Sequence, residues 1–282
     1  MKILIVGGNS SLAQVLKPIL TQFAEVLTAG RTNCDIRLDL SDPALEIFLP
    51  DGVDVVINTA AHFGGRDADA LRMSESVNVL GVLRLCQACT RLQVKQLVLV
   101  SSIFSMLDIN SIFFSGYSLS KRHSEEVAQL YSKTLGLPVT IVRPSQFYGT
   151  GAAARKHQPF FTSMIDKAAC GEDINLFGSR DALRNFIHVQ DVAQVISLMI
   201  QRGVLGTYDC QYPDDVHYSE IAAAAIRAFN SRSRINFIKE QPDVPDNVFP
   251  IDDSLFRLIN YYPQISIEEG MEQEAAARKL AR

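Results

Sequence analysis

The sequence predicts an α/β fold in which helices cover both faces of a doubly wound parallel sheet. Short runs of β-branched and apolar residues alternate along the first half of the chain with longer segments of helical periodicity. The strand candidates are apolar on both faces rather than alternating, which is typical of parallel strands buried between two layers of helices. Repeated β-α-β units of this kind indicate a Rossmann-type sheet.

The elements follow this rhythm in order. Strands are predicted at 2–6, 25–29, 35–38, 53–58, 96–101 and 139–142, and helices at 10–23, 42–48, 67–92 and 117–135. Beyond Pro144 we expect helices at 158–170, 191–201, 219–229 and 266–281, with strands at 174–177, 185–189 and after 206. We therefore assign 1–150 to a dinucleotide-binding core and 151–282 to a small C-terminal substrate-binding lobe, with 185–210 returning to the core.

Composition and charge exclude several classes of protein. The 282 residues are 47% apolar, and 27 basic residues against 31 acidic ones give a formal net charge of -4. This balance provides no basic surface for nucleic acid, so we expect no nucleic-acid partner. The apolar run after Lys2 is too short for a signal peptide, and no segment is long enough to span a membrane. We therefore expect a cytoplasmic protein with no membrane partner.

The five cysteines do not suggest a disulfide framework, because their number is odd and the chain is long. Cys86 and Cys89 form a C-x-x-C pair inside an apolar segment with helical spacing. Neither a second pair nor a nearby histidine completes a metal site. We interpret this pair as part of a buried helix and expect no bound metal.

A glycine turn joins the first strand to the first helix. Gly7 occupies the first place of a G-x-x-G-x-x-G fingerprint, whereas Ser10 and Ala13 occupy the other two. A helix N-terminus here would offer backbone N–H groups and a positive dipole end to a pyrophosphate. Ser10 either caps the helix or bonds a phosphate through its hydroxyl. The turn predicts a dinucleotide site that includes Gly7, Ser10, Ser11 and Leu12.

The end of the second strand bears on the choice of cofactor. An acidic residue usually reads the ribose 2′-hydroxyl of NAD at this place, but Gly30 and Arg31 stand there instead. A guanidinium can pair with a 2′-phosphate, so we predict NADP, with NAD as the alternative. Asp39 and Leu40, which follow the third strand, are candidates for contact with the adenine; Asp39 is otherwise a helix cap.

Tyr117 and Lys121 are the central catalytic candidates. Residues four apart share one face of a helix, so the phenol and the ammonium point into the same cleft. We expect the lysine cation, and a nicotinamide cation when present, to lower the tyrosine pKa and allow proton transfer. Ser102 ends an apolar strand upstream and is placed to bond a substrate oxygen. Ala60, Ala61 and His62 end the fourth strand at the same rim.

Together these residues resemble the extended short-chain dehydrogenase/reductases, the epimerase/dehydratase group that acts on nucleotide sugars. The resemblance covers most of the chain. The motifs that carry it are the glycine turn, Asn58-Thr59-Ala60-Ala61, Asn78, Ser101-Ser102, Tyr117-x-x-x-Lys121, Arg143-Pro144, Phe147-Tyr148-Gly149 and the run from Arg184 to Ala193.

The resemblance implies a role for each matching residue. Ser102 orients the sugar oxygen, Tyr117 is the acid/base, and Lys121 also binds the nicotinamide ribose. Asn78, Pro144 and Gln146 belong to the cofactor site, with Gln146 also near substrate, and Arg184 clamps the substrate phosphates. His188 and Asp191 are expected to make structural contacts. The resemblance further implies a homodimer formed by the helices at 67–92 and 117–135.

Departures from the family pattern narrow the choice of reaction. Dehydratases of the group carry Thr-Asp-Glu at the catalytic hydroxyl, whereas this chain has Ser102-Ile103-Phe104. This departure disfavours a 4,6-dehydratase. The chain also looks similar in length and N-terminal character to the 4-ketoreductases of the group, and the end of the second strand favours NADP. A ketoreductase acting on a keto-sugar nucleotide is therefore favoured, with an NAD-dependent C4 epimerase as the alternative. A non-catalytic dinucleotide-sensing regulator is a third reading, which the intact Ser-Tyr-Lys set disfavours. The apolar loop 103–114 either walls a substrate pocket or packs against the lobe or a second subunit.

Overall fold

The protein is described by a computed structural model that covers residues 1–42, 46–65, 67–150 and 158–280. The strands are β1 Lys2–Val6, β2 Glu25–Gly30, β3 Ile36–Arg37, β4 Val55–Asn58, β5 Gln96–Val100, β6 Val139–Pro144, β7 Gln146–Tyr148, β8 Ile174–Phe177, β9 Leu183–Arg184, β10 Phe186–His188, β11 Gly206–Cys210, β12 Val216–His217 and β13 Ile235–Ile238. The helices are α1 Ser11–Leu20, α2 Ala68–Glu75, α3 Gly81–Arg91, α4 Gly116–Leu135, α5 Pro159–Cys170, α6 Val189–Gln201, α7 Tyr218–Ala228, α8 Ser254–Ile259 and α9 Ile267–Leu280.

These elements fall into two compact units. The first unit contains residues 1–144, 193–210 and 254–261, and the second contains 145–192, 211–253 and 262–282. Three stretches differ from the domain boundaries that we assigned from the sequence. Residues 145–150 belong to the second unit, and 254–261 belong to the first. The segment that joins the first unit late in the chain begins at Ala193 rather than at 185.

The first unit is built on a seven-stranded sheet with the order β11-β6-β5-β4-β1-β2-β3. All of its strand pairs are parallel. The predicted doubly wound α/β fold is therefore confirmed. The chain starts in the middle of the sheet, builds outward to β3, and then returns to the other side of β1 with β4. This reversal places a topological switch point between β1 and β4, where such sheets bind their ligands.

Both faces of this sheet are buried, as the continuous apolar strands predicted. On one face Leu4, Val56 and Leu97 pack into a cluster with apolar residues of α3 and α4. Ile3 and Ile5 point to the opposite face and are also fully buried. Cys86 and Cys89 lie in the first of these clusters, so the prediction of a buried helix is confirmed for them. Burial raises the pKa of the Cys86 thiol to about 12, which makes it unreactive at neutral pH.

Two of the predicted helices differ from what the structure shows. The helix expected at 67–92 is divided by a π-helical turn, Ser76–Leu80, between α2 and α3. A helix was also expected at 42–48. Residues 46–48 have no regular structure, and residues 43–45 lie outside the described residues. The sequence reasoning missed β7, β9, β12, β13 and α8. These elements are too short for a periodic pattern to distinguish them from loops.

The second unit consists of three two-stranded sheets and helices. Its strand pairs are β10 with β7, β12 with β9, and β13 with β8. Phe161, Met164 and Ile165 of α5 pack with Ile221 of α7 and Met271 of α9. This unit therefore has an apolar core of its own.

Candidate active site

The candidate site of the first unit lies at the carboxyl edge of its sheet. β5, β4 and β1 are consecutive neighbours in the sheet, and β6 flanks β5. Because all four strands are parallel, the residues that follow them share one edge. Gly7, Thr59, Ser101-Ser102 and Pro144 stand at these four ends. The topology thus brings together segments that are far apart in the sequence.

The turn after β1 has a bare backbone. Gly7 has a φ of +86°, a conformation that favours glycine, and a Cβ there would lie 2.6 Å from the Ala60 nitrogen. A Cβ on Gly8 would lie 2.6 Å from Cβ of Thr28. Neither position accepts a side chain, so the peptide groups of this turn can be approached closely from outside.

Ser10 is the cap of α1 rather than a free hydroxyl at the turn. Its Oγ accepts a hydrogen bond from the Ala13 N–H at 3.1 Å and donates to Thr59 Oγ1 at 2.9 Å. The predicted capping role of Ser10 is confirmed, and a bond from its hydroxyl to a phosphate stays a prediction. Ser11 and Leu12 form the first turn of α1, and Leu12 is buried. The backbone N–H groups at the start of α1 are therefore candidates for binding a pyrophosphate.

The end of β2 presents small and basic groups. A Cβ on Gly30 would lie 2.9 Å from Cys34 Sγ, and the neighbouring Arg31 is exposed. Asp39 accepts hydrogen bonds at Oδ1 from the Ser41 N–H at 2.9 Å and the Ser41 hydroxyl at 2.7 Å. Burial opposes ionisation of Asp39, but the bonds from Ser41 and the charge of Arg31 lower its pKa overall. Asp39 is therefore an ionised carboxylate near Arg31.

Leu40, the other residue predicted near the adenine, is almost completely buried. Its side chain packs against Gly81, where an added Cβ would lie 2.9 Å from Leu40 Cβ. Its carbonyl accepts a hydrogen bond from Arg84 at 3.3 Å. Leu40 therefore anchors the chain after β3 to α3, and only a small part of it is open to a ligand.

Asn78 holds the loop after β4 against α4. It lies in the π-helical turn, a feature often found at functional sites. Its Oδ1 accepts from the His62 N–H at 2.8 Å, and its Nδ2 donates to the His62 carbonyl at 2.8 Å and to Ser120 Oγ at 2.9 Å. The His62 ring contacts Ser74 Oγ at 3.0 Å. Asn78 thus shapes the rim formed by Ala60, Ala61 and His62.

The structure brings Tyr117 and Ser102 together. Ser102 hydrogen-bonds the phenol of Tyr117. Phe63, from the loop after β4, stacks on the Tyr117 ring with centroids 5.4 Å apart. Burial raises the pKa of Tyr117 to about 12, although the bond with Ser102 works in the opposite direction. The phenol is therefore protonated at neutral pH.

Lys121 is buried beside this pair. Its Nζ donates to the Val100 carbonyl at 2.9 Å and lies 5.8 Å from the centroid of the Tyr117 ring. Burial lowers the pKa of Lys121 to about 8, while Glu125 raises it. The expectation of a lowered Tyr117 pKa is wrong, because desolvation of the phenolate outweighs the hydrogen bond with Ser102.

We predict that Ser102→Ala lowers kcat about tenfold to a hundredfold, because the substrate oxygen and the Tyr117 phenol lose a shared hydrogen-bond partner. The KM for the cofactor should not change. Steady-state kinetics of the pure variants would measure both constants. The control is Ser105→Ala, since the buried Ser105 hydroxyl has no hydrogen-bond partner among the described residues. Equal kcat values for the two variants would contradict a role for Ser102.

The loop that follows Ser102 is held by α4. Arg122 donates to the Ser105 carbonyl at 2.9 Å and to the Leu107 carbonyl, and its guanidinium lies 5.5 Å from the centroid of the Phe114 ring. Ile109 and Ile112 are 69% and 73% exposed. Part of the apolar surface of loop 103–114 is therefore uncovered in the single chain.

The remaining predicted residues lie in the second unit, apart from Pro144, which is buried at the end of β6. Gln146 on β7 donates to the Gln158 side chain at 3.0 Å. Arg184 is buried; its Nη1 donates to the carbonyls of Leu183 at 2.7 Å and Pro245 at 2.9 Å. Its guanidinium also lies 4.9 Å from the centroid of the Tyr218 ring. The phosphate-binding role of Arg184 stays a prediction.

Asp191 and His188 make structural contacts in the second unit, as predicted. The Asp191 carboxylate accepts the backbone N–H groups of Gln264 and Ile265, each at 2.9 Å. His188 accepts from the Gln190 N–H at 3.3 Å. Burial lowers the pKa of His188 to about 4, with Asp191 opposing this, so its ring is neutral at physiological pH.

The first unit fits a bound dinucleotide. Backbone at Gly7 and Gly8 leaves no room for side chains, and the N-terminus of α1 follows directly, so a pyrophosphate could be held by N–H groups and the helix dipole. Contact of Arg31 and Asp39 with the adenosine half, and of Tyr117 and Lys121 with the nicotinamide half, stays a prediction. The described ranges contain no group of three or more potential metal-binding side chains.

Two features of the site were missed from the sequence: the position of Phe63 over Tyr117, and the pairing of Glu125 with Arg143 behind Lys121. Glu125 follows Lys121 by four residues, so helical spacing alone signals their proximity. The position of Phe63 has no such signal, because the loop conformation decides where its ring lies.

None of the helices in the described part of the chain has the length and apolar character needed to cross a membrane.

Comparison with known proteins identifies relatives of this chain. The chain is 24% identical over 269 residues to the protein CapI of Staphylococcus aureus, covering 84% of this chain and 79% of CapI. It is 26% identical over 168 residues to a dTDP-4-dehydro-6-deoxy-D-allose reductase of a Streptomyces species, covering 59% of this chain and about half, 51%, of that relative.

Among solved structures, a UDP-N-acetylglucosamine 4-epimerase from Bacillus cereus has a similar fold, with a TM-score of 0.81 and 18% identity over 99% of this chain and 96% of that chain. The model of the NAD dependent epimerase/dehydratase family matches residues 3–210. That match contains the glycine turn, the Ser-Tyr-Lys set and all of the central sheet except Lys2. The resemblance inferred from the motifs is thus confirmed, and the chain belongs to the NAD dependent epimerase/dehydratase family.

Proposed function

We propose that this protein is an NADPH-dependent ketoreductase that converts a keto group of a nucleotide-diphosphate sugar to an alcohol. The observation that carries the proposal is the Tyr117 phenol, which is bonded to Ser102 and kept protonated by burial. Reduction of a ketone requires a proton donor at the oxygen, and a protonated phenol in this position can be that donor.

When bound, reduced nicotinamide supplies the hydride for the carbonyl carbon. Ser102 donates to the carbonyl oxygen and orients it, while the Tyr117 O–H gives its proton to the oxygen as negative charge develops there. Lys121, fixed on the Val100 carbonyl, places a positive charge near the phenolate that remains. One C–H bond and one O–H bond form, and the phenol recovers its proton from solvent.

The side chains after Ser102 disfavour elimination of water. Residues 103–107 are Ile-Phe-Ser-Met-Leu, and this segment offers no carboxylate to act as acid or base. The Streptomyces relative is named as a reductase of a dTDP-keto-sugar, which supports reduction as the reaction. For the substrate we propose a nucleotide sugar whose phosphates are bound by Arg184, with Gln146 close to the reacting sugar. The homodimer that the resemblance implies stays a prediction.

The test is a panel of nucleotide sugars and keto-sugar nucleotides, each assayed with NADPH and with NADH. Stoichiometric oxidation of NADPH together with formation of the alcohol would support the proposal. Tightly bound NAD in the purified protein, together with interconversion of C4 epimers without net cofactor consumption, would replace it with the epimerase reading. If the protein binds NADPH but turns over no member of the panel, the ketoreductase proposal is also contradicted.

We predict that Arg31→Ala raises the KM for NADPH about tenfold to a hundredfold, because a charged hydrogen bond to the 2′-phosphate is lost. The KM for NADH should stay the same, since NADH lacks that phosphate. Arg37→Ala is the matched control, because Arg37 is an exposed arginine on the neighbouring strand β3. An equal effect of Arg31→Ala on both cofactors would contradict the assignment of NADP.

A further inference from the structure

Three side chains on one stripe of α4 hold three consecutive residues at the end of β5. Tyr117 binds Ser102, Lys121 donates to the Val100 carbonyl at 2.9 Å, and Glu125 accepts from the Ser101 hydroxyl. The spacing of four residues places all three on the same helix face. The proposed mechanism uses the first two of these side chains and leaves the third, which is a buried acid, without a role.

We propose that Glu125 is a positioning residue, which fixes the end of β5 for Ser102 and keeps Lys121 positively charged during the reaction. The proposal rests on the proposed function in so far as Ser102, Tyr117 and Lys121 are the catalytic residues. Glu125 itself is one helical turn from Lys121 and acts through its neighbours. Its first effect is geometric and its second is electrostatic.

Glu125 is held by a partly buried arginine. Arg143 on β6 donates from Nε to both carboxylate oxygens at 3.1 and 3.0 Å, and from Nη2 to Oε2 at 2.6 Å. Arg143 also lies 3.6 Å from Asp209 on β11. Burial disfavours the charge of Arg143, but Glu125 and Asp209 raise its pKa overall. The Glu125 carboxylate is therefore held both by Arg143 and by the Ser101 hydroxyl.

The charges alternate in sign along this row: Lys121 positive, Glu125 negative, Arg143 positive and Asp209 negative. A buried charge without a partner is strongly unfavourable, so removal of one member changes the balance for the next. Glu125 is 4% exposed, and Lys121 is equally buried. In such a low-dielectric setting the effect of Glu125 on the Lys121 ammonium is larger than it would be at the surface.

The geometric effect follows from Ser101. This residue lies between Val100 and Ser102, and its hydroxyl is buried against Glu125. Release of that hydroxyl would free the backbone next to Ser102, whose bond with Tyr117 depends on the conformation there. Small displacements of a catalytic group have large effects on rate, because proton transfer requires hydrogen-bond distance in the reacting complex.

The electrostatic effect has a defined sign. Burial lowers the pKa of Lys121 to about 8, and Glu125 raises it. Without the negative charge of Glu125 the pKa of Lys121 falls further, so the ammonium loses its proton at a lower pH. Since the cation is the active form, the alkaline limb of the pH-rate profile should move to lower pH.

Other titratable groups around α4 interact with partners of their own. On the elements packed against α4 these pairs are Glu75 with His123 at 3.1 Å, His62 with Ser74, Arg84 with the Leu40 carbonyl and Arg91 with Glu46. The groups that face Lys121 itself are Tyr117 and Glu125 from α4, with Arg143 and Asp209 behind them from β6 and β11. Glu125 is the charged group that raises the Lys121 pKa.

The test compares Glu125→Gln with Glu126→Gln in the full-length protein. Glu126 is exposed on the same helix, so its variant removes the same charge from the next position. We expect Glu125→Gln to lower kcat about tenfold and to move the alkaline limb down by about one pH unit, with the KM for the cofactor unchanged. Glu126→Gln should match the wild type in all three measurements.

A second measurement does not depend on turnover. Acetylation of each lysine by acetic anhydride, followed by mass spectrometry between about pH 6 and about pH 11, reports the pKa of Lys121 in any folded variant. We expect this pKa to be lower in Glu125→Gln than in Glu126→Gln. Equal Lys121 pKa values in the two variants would overturn the electrostatic role. If the wild type turns over no keto-sugar but the labelling difference is present, the proposed reaction fails while this role of Glu125 stands.

Glu125→Asp keeps the test decisive if Glu125→Gln does not fold. The shorter carboxylate retains the negative charge beside Arg143 but withdraws from the Ser101 hydroxyl. We expect an unchanged Lys121 pKa together with a kcat lowered several-fold, and thermal denaturation would establish that the variant is folded. Wild-type kcat in a folded Glu125→Asp variant would contradict the positioning of Ser102 through Ser101.

Discussion

Replacement of Tyr117 by phenylalanine is expected to lower kcat for reduction of a keto-sugar nucleotide by about a hundredfold to ten-thousandfold. The substitution removes the proton donor and keeps the ring, so stacking against Phe63 should persist. The affinity for NADPH should change little, because the turn at Gly7 and the N-terminus of α1 are untouched. The measurements are single-turnover oxidation of NADPH and a separate titration of NADPH binding.

Tyr131→Phe is the matched control for this variant. Tyr131 lies on the same helix and is partly buried against the apolar cluster beneath the sheet. Loss of its hydroxyl should leave kcat at the wild-type value. If Tyr117→Phe also retains wild-type turnover, Tyr117 is not the proton donor and the proposed chemistry is wrong, whichever sugar the enzyme uses.

Gly7→Ala is expected to abolish measurable cofactor binding and to destabilise the protein by about 2 kcal/mol or more. Two effects combine in this variant. The φ of +86° is unfavourable for alanine, and the new Cβ would lie 2.6 Å from the Ala60 nitrogen, so the loop after β4 must move. Movement of that loop also disturbs the rim where the dinucleotide should bind.

Gly52→Ala separates the two effects. Gly52 also has a positive φ, +73°, but a Cβ there would meet no atom within 4 Å. This variant should show the cost of the backbone conformation alone, about 1 kcal/mol, with normal binding of NADPH. Urea denaturation measures the free energy of unfolding, and fluorescence titration measures NADPH binding. Similar results for the two glycine variants would contradict a special packing role for Gly7.

Local patterns account for much of what was predicted correctly. Most strands of the central sheet before residue 145 are largely apolar, and the ends of each strand lie within two residues of the prediction. Tyr117 and Lys121 are four residues apart on a helix, so their common face follows from helix geometry. Capping of α1 by Ser10 and burial of Cys86 and Cys89 likewise depend on neighbours near in the sequence.

Contacts between distant residues decide features that local patterns could not predict. The Ser10 hydroxyl donates to Thr59, which is 49 residues away in the chain. The Tyr117 pKa is raised rather than lowered, because burial by the surrounding fold outweighs the hydrogen bond with Ser102. The Asn78 amide bonds the His62 backbone and Ser120, and its contact with the cofactor stays a prediction. No periodic pattern carries information of this kind.

The sequence by itself determined the parallel sheet, the glycine turn and the Tyr117–Lys121 pair, because apolar periodicity and helical spacing act over a few residues. Only the tertiary structure decided how these parts work as a site. It selected the protonation state of Tyr117 through burial and brought Glu125, Arg143 and Asp209 together behind Lys121. The physical reason is that desolvation and charge pairing depend on everything that packs around a group, including residues from strands far apart along the chain.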